Sequence, residues 1–444
     1  MTRHHSRRLL ALATAVLLPL TLAGTASAQP HDSTARYGSD ADKKLVGYFT
    51  QWGIYGRNYL VKNLETSGQA GKLTHVNYAF GNVSAEGNCF EANIPGQGDA
   101  WADYQTPFSA EQSVDGVADT ADQPLAGNFN QLRELKQKHP KLKVLISLGG
   151  WTWSRYFSDA ALTPESRQKF VASCVDLFIK GNLPLLDGRG GPGSAAGVFD
   201  GIDLDWEWPA SEGAPGNVVR PEDKQNFTAL VAEFRRQLDA YGRQQRKHYQ
   251  LTAFLPADPA QAERGIETRK VFRNLDFATI QGYDLNGAWD PTTNHHSQLF
   301  SPPDDPNPHR FSVDLAIRHY LQGGAPARKL VMGVPYYGRG WTGVPDRNRG
   351  LYQGPATPAP GTYEPGYEDY KVIATKPGNR YYDHRAVAVW YFDGTTFWTY
   401  DDPQVIRVKT RYIKARGLGG AMVWSLDGDD AQGTLTSALH SGLT

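Results

Sequence analysis

The sequence predicts an α/β fold, a closed (β/α)8 TIM barrel with a small α+β insertion subdomain between its seventh and eighth strands. Eight short apolar runs have strand character, and stretches with helical spacing lie between most of them. The runs are almost continuously apolar, which is typical of a parallel sheet covered by helices. The length of 444 residues suits such a barrel with insertions, and eight strands favour closure over an open doubly wound sheet.

The first 28 residues have the pattern of a secretory signal peptide. Three arginines precede the apolar run Leu9–Leu22, and Ala26–Ala28 (Ala-Ser-Ala) fits a cleavage site. The run is too short to span a membrane. We therefore expect a secreted, extracellular protein whose polar residues 29–42 form an N-terminal arm. The export route, general or twin-arginine, stays open.

The barrel is expected to occupy residues 43–341 and 416–444. Its predicted strands are Leu45–Gln51, Thr74–Phe80, Val144–Gly149, Gly201–Glu207, Gln250–Leu255, Phe277–Tyr283, Leu330–Pro335 and Gly420–Ser425. The clearest helical spacing lies in Phe129–Lys138, Pro164–Ile179, Pro221–Tyr241 and Val313–Gln322.

Two long stretches interrupt the alternation of strands and helices. Asn82–Gly127 follows the second strand and is polar, so we expect it on the catalytic rim of the barrel. Residues 342–415 are too long for one barrel helix. Within them, Ala386–Phe392 and Phe397–Tyr400 flank an Asp-Gly turn and predict a hairpin, the basis for the insertion subdomain.

The composition excludes some functions and leaves others open. The 46 basic and 46 acidic residues balance, so we expect neither nucleic acid nor membrane as a partner. Eleven Trp and 22 Tyr suggest flat aromatic contact surfaces. Cys89 and Cys174 are compatible with a disulfide in an exported protein, but the sequence does not show whether they pair.

Two polar groups are better explained without a metal. His295 and His296 lack a partner at ligand spacing, which favours an exposed loop pair. The acids at 427, 429 and 430 lack the later glutamate of a calcium loop, which favours a solvated turn.

The strongest chemical signal is the run Asp-Gly-Ile-Asp-Leu-Asp-Trp-Glu-Trp at residues 200–208. In a strand, Asp203, Asp205 and Glu207 share one face, because alternate side chains point the same way. Stacked carboxyls repel one another and acquire shifted pKa values. We interpret them as a reaction site rather than a metal site or a structural cluster. Asp200 lies three residues before Asp203, so its side chain would point to the opposite face of a regular strand, and it is predicted to be structural.

These residues match the DxxDxDxE signature of glycoside hydrolase family 18, the chitinases, and the resemblance spans nearly the whole chain after the leader. Further segments similar to that family are Leu45-Val-Gly-Tyr-Phe, Asn77-Tyr-Ala-Phe, Ser147-Leu-Gly-Gly-Trp, Tyr283-Asp284, Tyr337-Gly-Arg339 and Trp424. The insertion before the eighth strand resembles the chitinase insertion domain of bacterial subfamily A.

Glu207 is expected to be the general acid and then the general base, because it lies nearest the C-terminal end of its strand, where barrel active sites open. Asp205 is expected to orient the substrate acetamide, and Asp203 to share a proton with Asp205. By resemblance, Tyr283 donates a hydrogen bond to the same acetamide. The resemblance implies no metal and no cofactor.

A larger set of residues is expected to bind sugar: Asp284, Tyr337, Arg339 and Trp424 by the resemblance, and further aromatic rings because their faces suit the C–H faces of a polysaccharide. The set is Tyr48, Phe80, Trp151, Gln281, Asp284, Trp289, Tyr337, Arg339 and Trp424, with Tyr391 and Trp398 as further groove candidates. Gln281 departs from the resemblance, since many members have Met there.

The expected function is a secreted, monomeric chitinase that cuts β-1,4 bonds between N-acetylglucosamine units by a retaining, substrate-assisted reaction. One alternative is an endo-β-N-acetylglucosaminidase that acts on N-glycans, which would share the acid motif. The other is a non-catalytic chitin-binding lectin, although such relatives usually lack the final acid of the motif.

Overall fold

Eight parallel strands close into a barrel in the computed structural model, which describes residues 43–444. The first strand pairs in parallel with both the second and the eighth, and this completes the ring. The strands are Lys44–Thr50, His75–Val83, Lys143–Gly149, Gly201–Asp205, Gln250–Leu255, Phe277–Ile280, Leu330–Pro335 and Gly420–Trp424. The predicted barrel is confirmed. The expected signal peptide and N-terminal arm lie outside the described residues.

Helices cover the outside of the barrel because each buries one apolar face against the strands. In Asp223–Gln245, for example, Phe227, Leu230, Phe234 and Leu238 recur at helical spacing and are buried. The main helices are Val61–Thr66, Gly127–Lys138, Pro164–Cys174, Asp223–Gln245, Pro259–Gly265, Thr268–Asn274, Val313–Gln322, Pro403–Ala415 and Thr434–Leu443. Shorter helices are Gly150–Trp153, Phe157–Ala161 and Tyr370–Ile373.

Local capping explains where several helices begin. The side chains of Thr163, Ser312 and Asp402 accept hydrogen bonds from backbone N–H groups in the first turns that follow them. Proline occupies the first position of the helices at 164 and 403, where its missing N–H costs no hydrogen bond. The helix predicted over Pro164–Ile179 ends as an α-helix at Cys174 and continues as a π-helical turn through Ile179.

A second, antiparallel sheet lies between the seventh and eighth barrel strands. Its strands are Tyr337–Thr342, Thr357–Pro358, Tyr367–Asp369, Asn379–Asp383, Ala388–Phe392 and Thr396–Tyr400. The predicted hairpin is confirmed, since Ala388–Phe392 pairs antiparallel with Thr396–Tyr400. The sheet starts before residue 342, and helix Pro403–Ala415 contacts the last barrel strand. Residues 43–444 belong to one compact unit, so the limits of the insertion stay a prediction.

The stretch after the second strand contains three two-residue strands, Cys89–Phe90, Asn93–Ile94 and Gly98–Asp99, and a π-helical turn, Trp101–Gln105. Cys89 forms a disulfide with Cys174, which resolves the question that the sequence left open. The bond ties this stretch to the helix Pro164–Cys174 across 85 positions of chain. A cross-link over so long a loop stabilises the fold by restricting the unfolded chain.

Two expectations about polar groups are wrong. His295 and His296 are buried, with 1% and 0% of their surface exposed, rather than part of an exposed loop. Asp427 and Asp429 are buried too, because they accept hydrogen bonds from the turn after the eighth strand and from the helix that follows it. In the part of the chain that the structure describes, no helix is long and apolar enough to cross a membrane.

Candidate active site

A cavity of about 1130 Å³ opens at the C-terminal ends of the barrel strands. The sequence-predicted residues that line it are Tyr48, Phe80, Trp151, Asp205, Glu207, Gln281, Tyr283, Asp284, Trp289, Tyr337, Arg339 and Trp424. Of the three acids predicted on the fourth strand, Asp203 is the one that lies beneath the cavity instead of on its wall. The structure therefore brings these residues to one place, and their individual roles stay predictions.

The fourth strand delivers the acids by simple alternation. Ile202 and Leu204 are fully buried in the outer core, while Asp203 and Asp205 point into the barrel. Trp206 continues the outer face and stacks on Phe157 with ring centroids 5.5 Å apart. The prediction that Asp203 and Asp205 share one face of the strand, opposite to Ile202 and Leu204, is therefore correct.

Glu207 lies two residues beyond the end of the strand, so the prediction that the strand includes it is wrong. Its backbone is held on both sides: its N–H donates to Ser154 Oγ at 2.9 Å, and its carbonyl accepts from Asn217 Nδ2 at 3.0 Å. Ser154 Oγ also donates to the carbonyl of Asp205 at 3.1 Å. The loop after the third strand thus positions the last acid over the cavity.

Asp203 is fully buried and accepts three hydrogen bonds from hydroxyl groups. Tyr48 and Ser147 donate to its Oδ2 at 2.7 and 2.8 Å, and Thr252 donates to its Oδ1 at 2.5 Å. Burial raises the pKa of Asp203 above its ordinary value, and these hydrogen bonds oppose the rise.

Asp205 and Glu207 both have raised pKa values. Burial raises the pKa of Asp205 well above its ordinary range, and the charges of Glu207 and Asp203 add to the effect. Its Oδ1 is buried and has no hydrogen-bond partner among the described residues. Burial, followed by the charge of Asp284, raises the pKa of Glu207 to about 8. A carboxyl that keeps its proton at neutral pH is suited to general acid catalysis.

Asp284 has the opposite electrostatic environment. Arg339 donates to it from Nε at 2.8 Å and from Nη2 at 3.1 Å, and the Tyr337 hydroxyl donates at 2.7 Å. Burial alone would raise the pKa of Asp284, but the charge and hydrogen bonds of Arg339, with a further contribution from His296, lower it well below the ordinary value. The buried His296 packs behind Asp284, and its Nδ1 accepts a hydrogen bond from the backbone N–H of Asp284 at 3.4 Å.

Tyr283 lies between the two sets of acids. Its ring stacks on Phe254 with centroids 6.2 Å apart and meets Tyr337 edge to face at 6.0 Å. Burial and the neighbouring carboxylates, Asp205 first, raise the pKa of its hydroxyl well above the ordinary value. The hydroxyl therefore stays protonated and is available as a donor in the cavity.

Aromatic rings form much of the remaining wall. Trp424 stacks on Phe80 with centroids 5.7 Å apart and an interplanar angle of 17°, and Tyr48 lies 5.3 Å from the same Trp. Trp151 and Trp289 are 53% and 59% exposed, so a large part of each ring is accessible from the cavity, although the Arg339 guanidinium lies over the Trp289 ring at 5.2 Å. Gln281 lines the wall and accepts a hydrogen bond from the Ala257 N–H at 3.2 Å.

Two groove candidates are wrong, and several lining residues were missed. Tyr391 and Trp398 are 4% and 1% exposed and form part of the hydrophobic core instead of the cavity wall. Trp52, Tyr55, Arg57, Trp208, Phe254, Tyr363 and Tyr367 line the cavity without having been singled out. Trp52 lies two residues after the end of the first strand, and this position at the cavity end of the barrel could have predicted it. The sequence contains no comparable indication for Tyr363, because its position depends on how the insertion folds.

The long stretch after the second strand does not line the cavity, although it borders it. The indole N–H of Trp153 donates to the carbonyl of Gly96 at 2.9 Å, and the Tyr55 hydroxyl donates to Asp99 at 2.8 Å. Within residues 43–444, no cluster of three or more His, Cys, Asp or Glu side chains is arranged to hold a metal ion.

Comparisons with known proteins agree with this geometry. Residues 44–429 match the model of the family Glycosyl hydrolases family 18. Chitinase C of Streptomyces lividans is 42% identical over 402 residues, which cover 89% of this chain and 59% of that protein. Chitinase A1 of Niallia circulans is 37% identical over 471 residues, which cover 98% of this chain and 62% of that protein. The chain thus spans about three fifths of the length of these curated relatives.

A solved structure gives the same result for the fold. The catalytic domain of psychrophilic chitinase B from Arthrobacter TAD20 superposes with a TM-score of 0.87 at 51% identity, covering 91% of this chain and 96% of that one. The acid motif, the cavity and these similarities lead to one assignment: the chain belongs to glycosyl hydrolases family 18.

Proposed function

We propose that this protein is a secreted chitinase that hydrolyses β-1,4 bonds between N-acetylglucosamine units with retention of configuration. The observation that carries the proposal is Glu207, a carboxyl whose pKa is raised to about 8 on the wall of an aromatic cavity. The named chitinases among the similar proteins support the substrate. The signal-peptide pattern at residues 1–28 supports secretion.

In the proposed reaction, protonated Glu207 gives its proton to the glycosidic oxygen as that bond breaks. The acetamido oxygen of the same substrate bonds to the anomeric carbon from the opposite face. Asp205 and Tyr283 hold the acetamide and stabilise the positive charge that develops on it. Glu207, now a carboxylate, takes a proton from the water that opens the intermediate, which restores the enzyme.

The acetamide is the proposed nucleophile because Asp284, the inner-wall carboxyl whose pKa is lowered, is already engaged. Asp284 accepts hydrogen bonds from Arg339 and Tyr337, which compensate its charge and fix its direction. Asp205 and Glu207 project from one strand and its extension, so both approach the sugar from one side. A linear polysaccharide fits a cavity that also receives Tyr363 and Tyr367 from the insertion.

The test replaces Glu207 with Gln, which keeps the shape but removes the transferable proton. We expect kcat on chitin oligomers to fall by about 10²–10⁴ while oligomer binding is retained. Glu212→Gln is the matched control, since Glu212 is exposed and does not line the cavity. Wild-type turnover by Glu207→Gln would refute the assignment.

Substrate choice separates the alternatives. We expect hydrolysis of N-acetylglucosamine oligomers, and poor reaction with cellulose oligomers, which have no C2 acetamide. Efficient release of N-glycans from glycoproteins would favour the endo-β-N-acetylglucosaminidase alternative. Tight chitin binding without release of reducing ends would favour a lectin.

A further inference from the structure

Thr252 lies beneath the cavity and contacts one of the acids. It is on the fifth barrel strand, is fully buried, and does not line the cavity. The parallel register places it beside Asp203, and its hydroxyl donates the 2.5 Å hydrogen bond to Asp203 Oδ1. Since Tyr48 and Ser147 donate to Oδ2, both oxygens of Asp203 accept hydrogen bonds from uncharged hydroxyls. Such an arrangement stabilises the ionised form of Asp203.

Asp205, the next acid on the same face, has the opposite surroundings. Its Oδ1 is buried without a hydrogen-bond partner among residues 43–444, so a charge on this group is poorly compensated. Because two neighbouring buried carboxylates repel each other, we expect Asp203 and Asp205 to hold one proton between them. The hydroxyls that bind Asp203 decide on which of the two that proton rests.

We propose that Thr252 is a positioning residue that keeps Asp203 ionised and thereby places the shared proton on Asp205, beside Glu207. The kinetic part of this inference rests on the proposed function. With its proton, Asp205 is neutral and can donate a hydrogen bond to the carboxylate that Glu207 becomes after proton transfer. The total number of protons on the pair does not change; only the position of one proton is set.

The charged and titratable groups around these acids are few. Tyr48 and Asp205 are the titratable neighbours of Asp203. Glu207 is faced by Asp205, by Tyr283 and by Asp284, whose charge is paired with Arg339. A proton that moves from Asp205 to Asp203 therefore changes the net charge next to Glu207.

Thr252→Val removes the hydroxyl and keeps the shape of the side chain. The proton should then move to Asp203, and the resulting Asp205 anion should raise the pKa of Glu207. We expect the alkaline limb of kcat/KM to move upward by about one pH unit. We expect kcat to fall about tenfold, with KM unchanged because Thr252 does not line the cavity.

Two further variants distinguish this role from a structural one. Thr252→Ser keeps the hydroxyl and should restore both kcat and the position of the alkaline limb. Thr279→Val is the matched control, because Thr279 is a buried threonine of the neighbouring strand whose Oγ1 has no hydrogen-bond partner in the described chain. It should keep the wild-type limb. A wild-type limb in Thr252→Val, or an equal shift in Thr279→Val, would overturn the proposal.

Neutron diffraction provides a test that needs no activity. In deuterated wild-type protein, we expect a deuteron on Asp205 and none on Asp203 at neutral pH, and the reverse in Thr252→Val. A deuteron on Asp203 in the wild type would refute the inference even if Thr252→Val does not fold. If the wild-type protein is inactive on chitin oligomers, the proposed function is rejected. The position of the proton on Asp205 or Asp203 is then still decided by neutron diffraction.

Discussion

Two sets of acids meet in the same cavity with opposite electrostatics. Asp205 and Glu207, from the fourth strand and its extension, have raised pKa values, whereas Asp284, after the sixth strand, has a lowered one. Burial acts in the same direction on all three. In residues 43–444, the ion pairs of the cavity wall include Asp284, through Arg339, but neither Asp205 nor Glu207. The Arg339 guanidinium is therefore the main difference between Asp284, whose pKa is lowered, and the two acids whose pKa values are raised.

Among the variants that test this comparison, the largest effect on activity should come from breaking the ion pair between Arg339 and Asp284. Arg339→Met would leave Asp284 buried without its cation, so the pKa of Asp284 should rise toward those of the other acids. We expect kcat/KM on chitin oligomers to fall about 100-fold, since truncating one partner of a buried pair is costly. Arg339→Lys is the control. It keeps the positive charge but loses the bidentate hydrogen bonding to Asp284, so its kcat/KM should fall less. Equal losses in both variants would show that shape, not charge, is what matters.

A smaller effect should follow from removing the anion that acts on Glu207. Wild-type activity should fall as pH rises through about 8, because Glu207 must be protonated to act as the acid. The Asp284 charge helps to raise that pKa, so Asp284→Asn should move the alkaline limb to lower pH. The measurement is kcat/KM across pH 6 to about 10.

Glu364→Gln is the matched control for that measurement. Glu364 also lines the cavity and lies 3.5 Å from Arg339, but its side chain is 59% exposed. Its variant should keep the alkaline limb at the wild-type pH. An upward shift in Asp284→Asn, or an equal downward shift in Glu364→Gln, would contradict the electrostatic explanation.

The smallest effect on activity should come from Asp200, the first acid of the motif, whose charge is compensated and which does not line the cavity. Asp200 is paired with Lys136 at 2.8 Å and Lys247 at 2.7 Å, and it accepts a hydrogen bond from the Val144 N–H. We expect Asp200→Asn to leave kcat/KM unchanged and to lower the free energy of unfolding by about 1–3 kcal/mol at neutral pH.

The pH dependence of that difference has a definite sign. The folded pKa of Asp200 is lowered, so its contribution to stability is present above the unfolded pKa of about 4 and is lost as pH falls through the folded value. Denaturant unfolding at several pH values should show the two proteins converging in acid. A large loss of activity in Asp200→Asn would contradict the structural role.

The sequence predicted best those features that are set by residues adjacent in the chain. The strands Gln250–Leu255 and Leu330–Pro335 and the helix Val313–Gln322 were predicted at their observed bounds, because apolar periodicity is a property of adjacent residues. The end of the fourth strand was placed too late, because hydrogen bonds from Ser154 and Asn217 hold Glu207 outside the ladder.

Features that depend on distant contacts were the ones missed. The sequence did not distinguish Trp398, which is buried in the hydrophobic core, from Trp289, which is exposed on the cavity wall. It did not predict the burial of His296 behind Asp284, because the two residues are twelve positions apart along a loop. Whether Cys89 and Cys174 form a disulfide was likewise left open by the sequence, because only the fold places the two side chains together.

By itself, the sequence determined the barrel, the family resemblance and the face on which Asp203 and Asp205 lie, because strand alternation sets parity residue by residue. Only the tertiary structure decided which of these acids are compensated. Thr252 and Ser147 reach Asp203 from the two neighbouring barrel strands, and Arg339 reaches Asp284 from the first strand of the antiparallel sheet. Burial and through-space charge set pKa values, and both depend on what surrounds a group in space rather than on its neighbours in the chain.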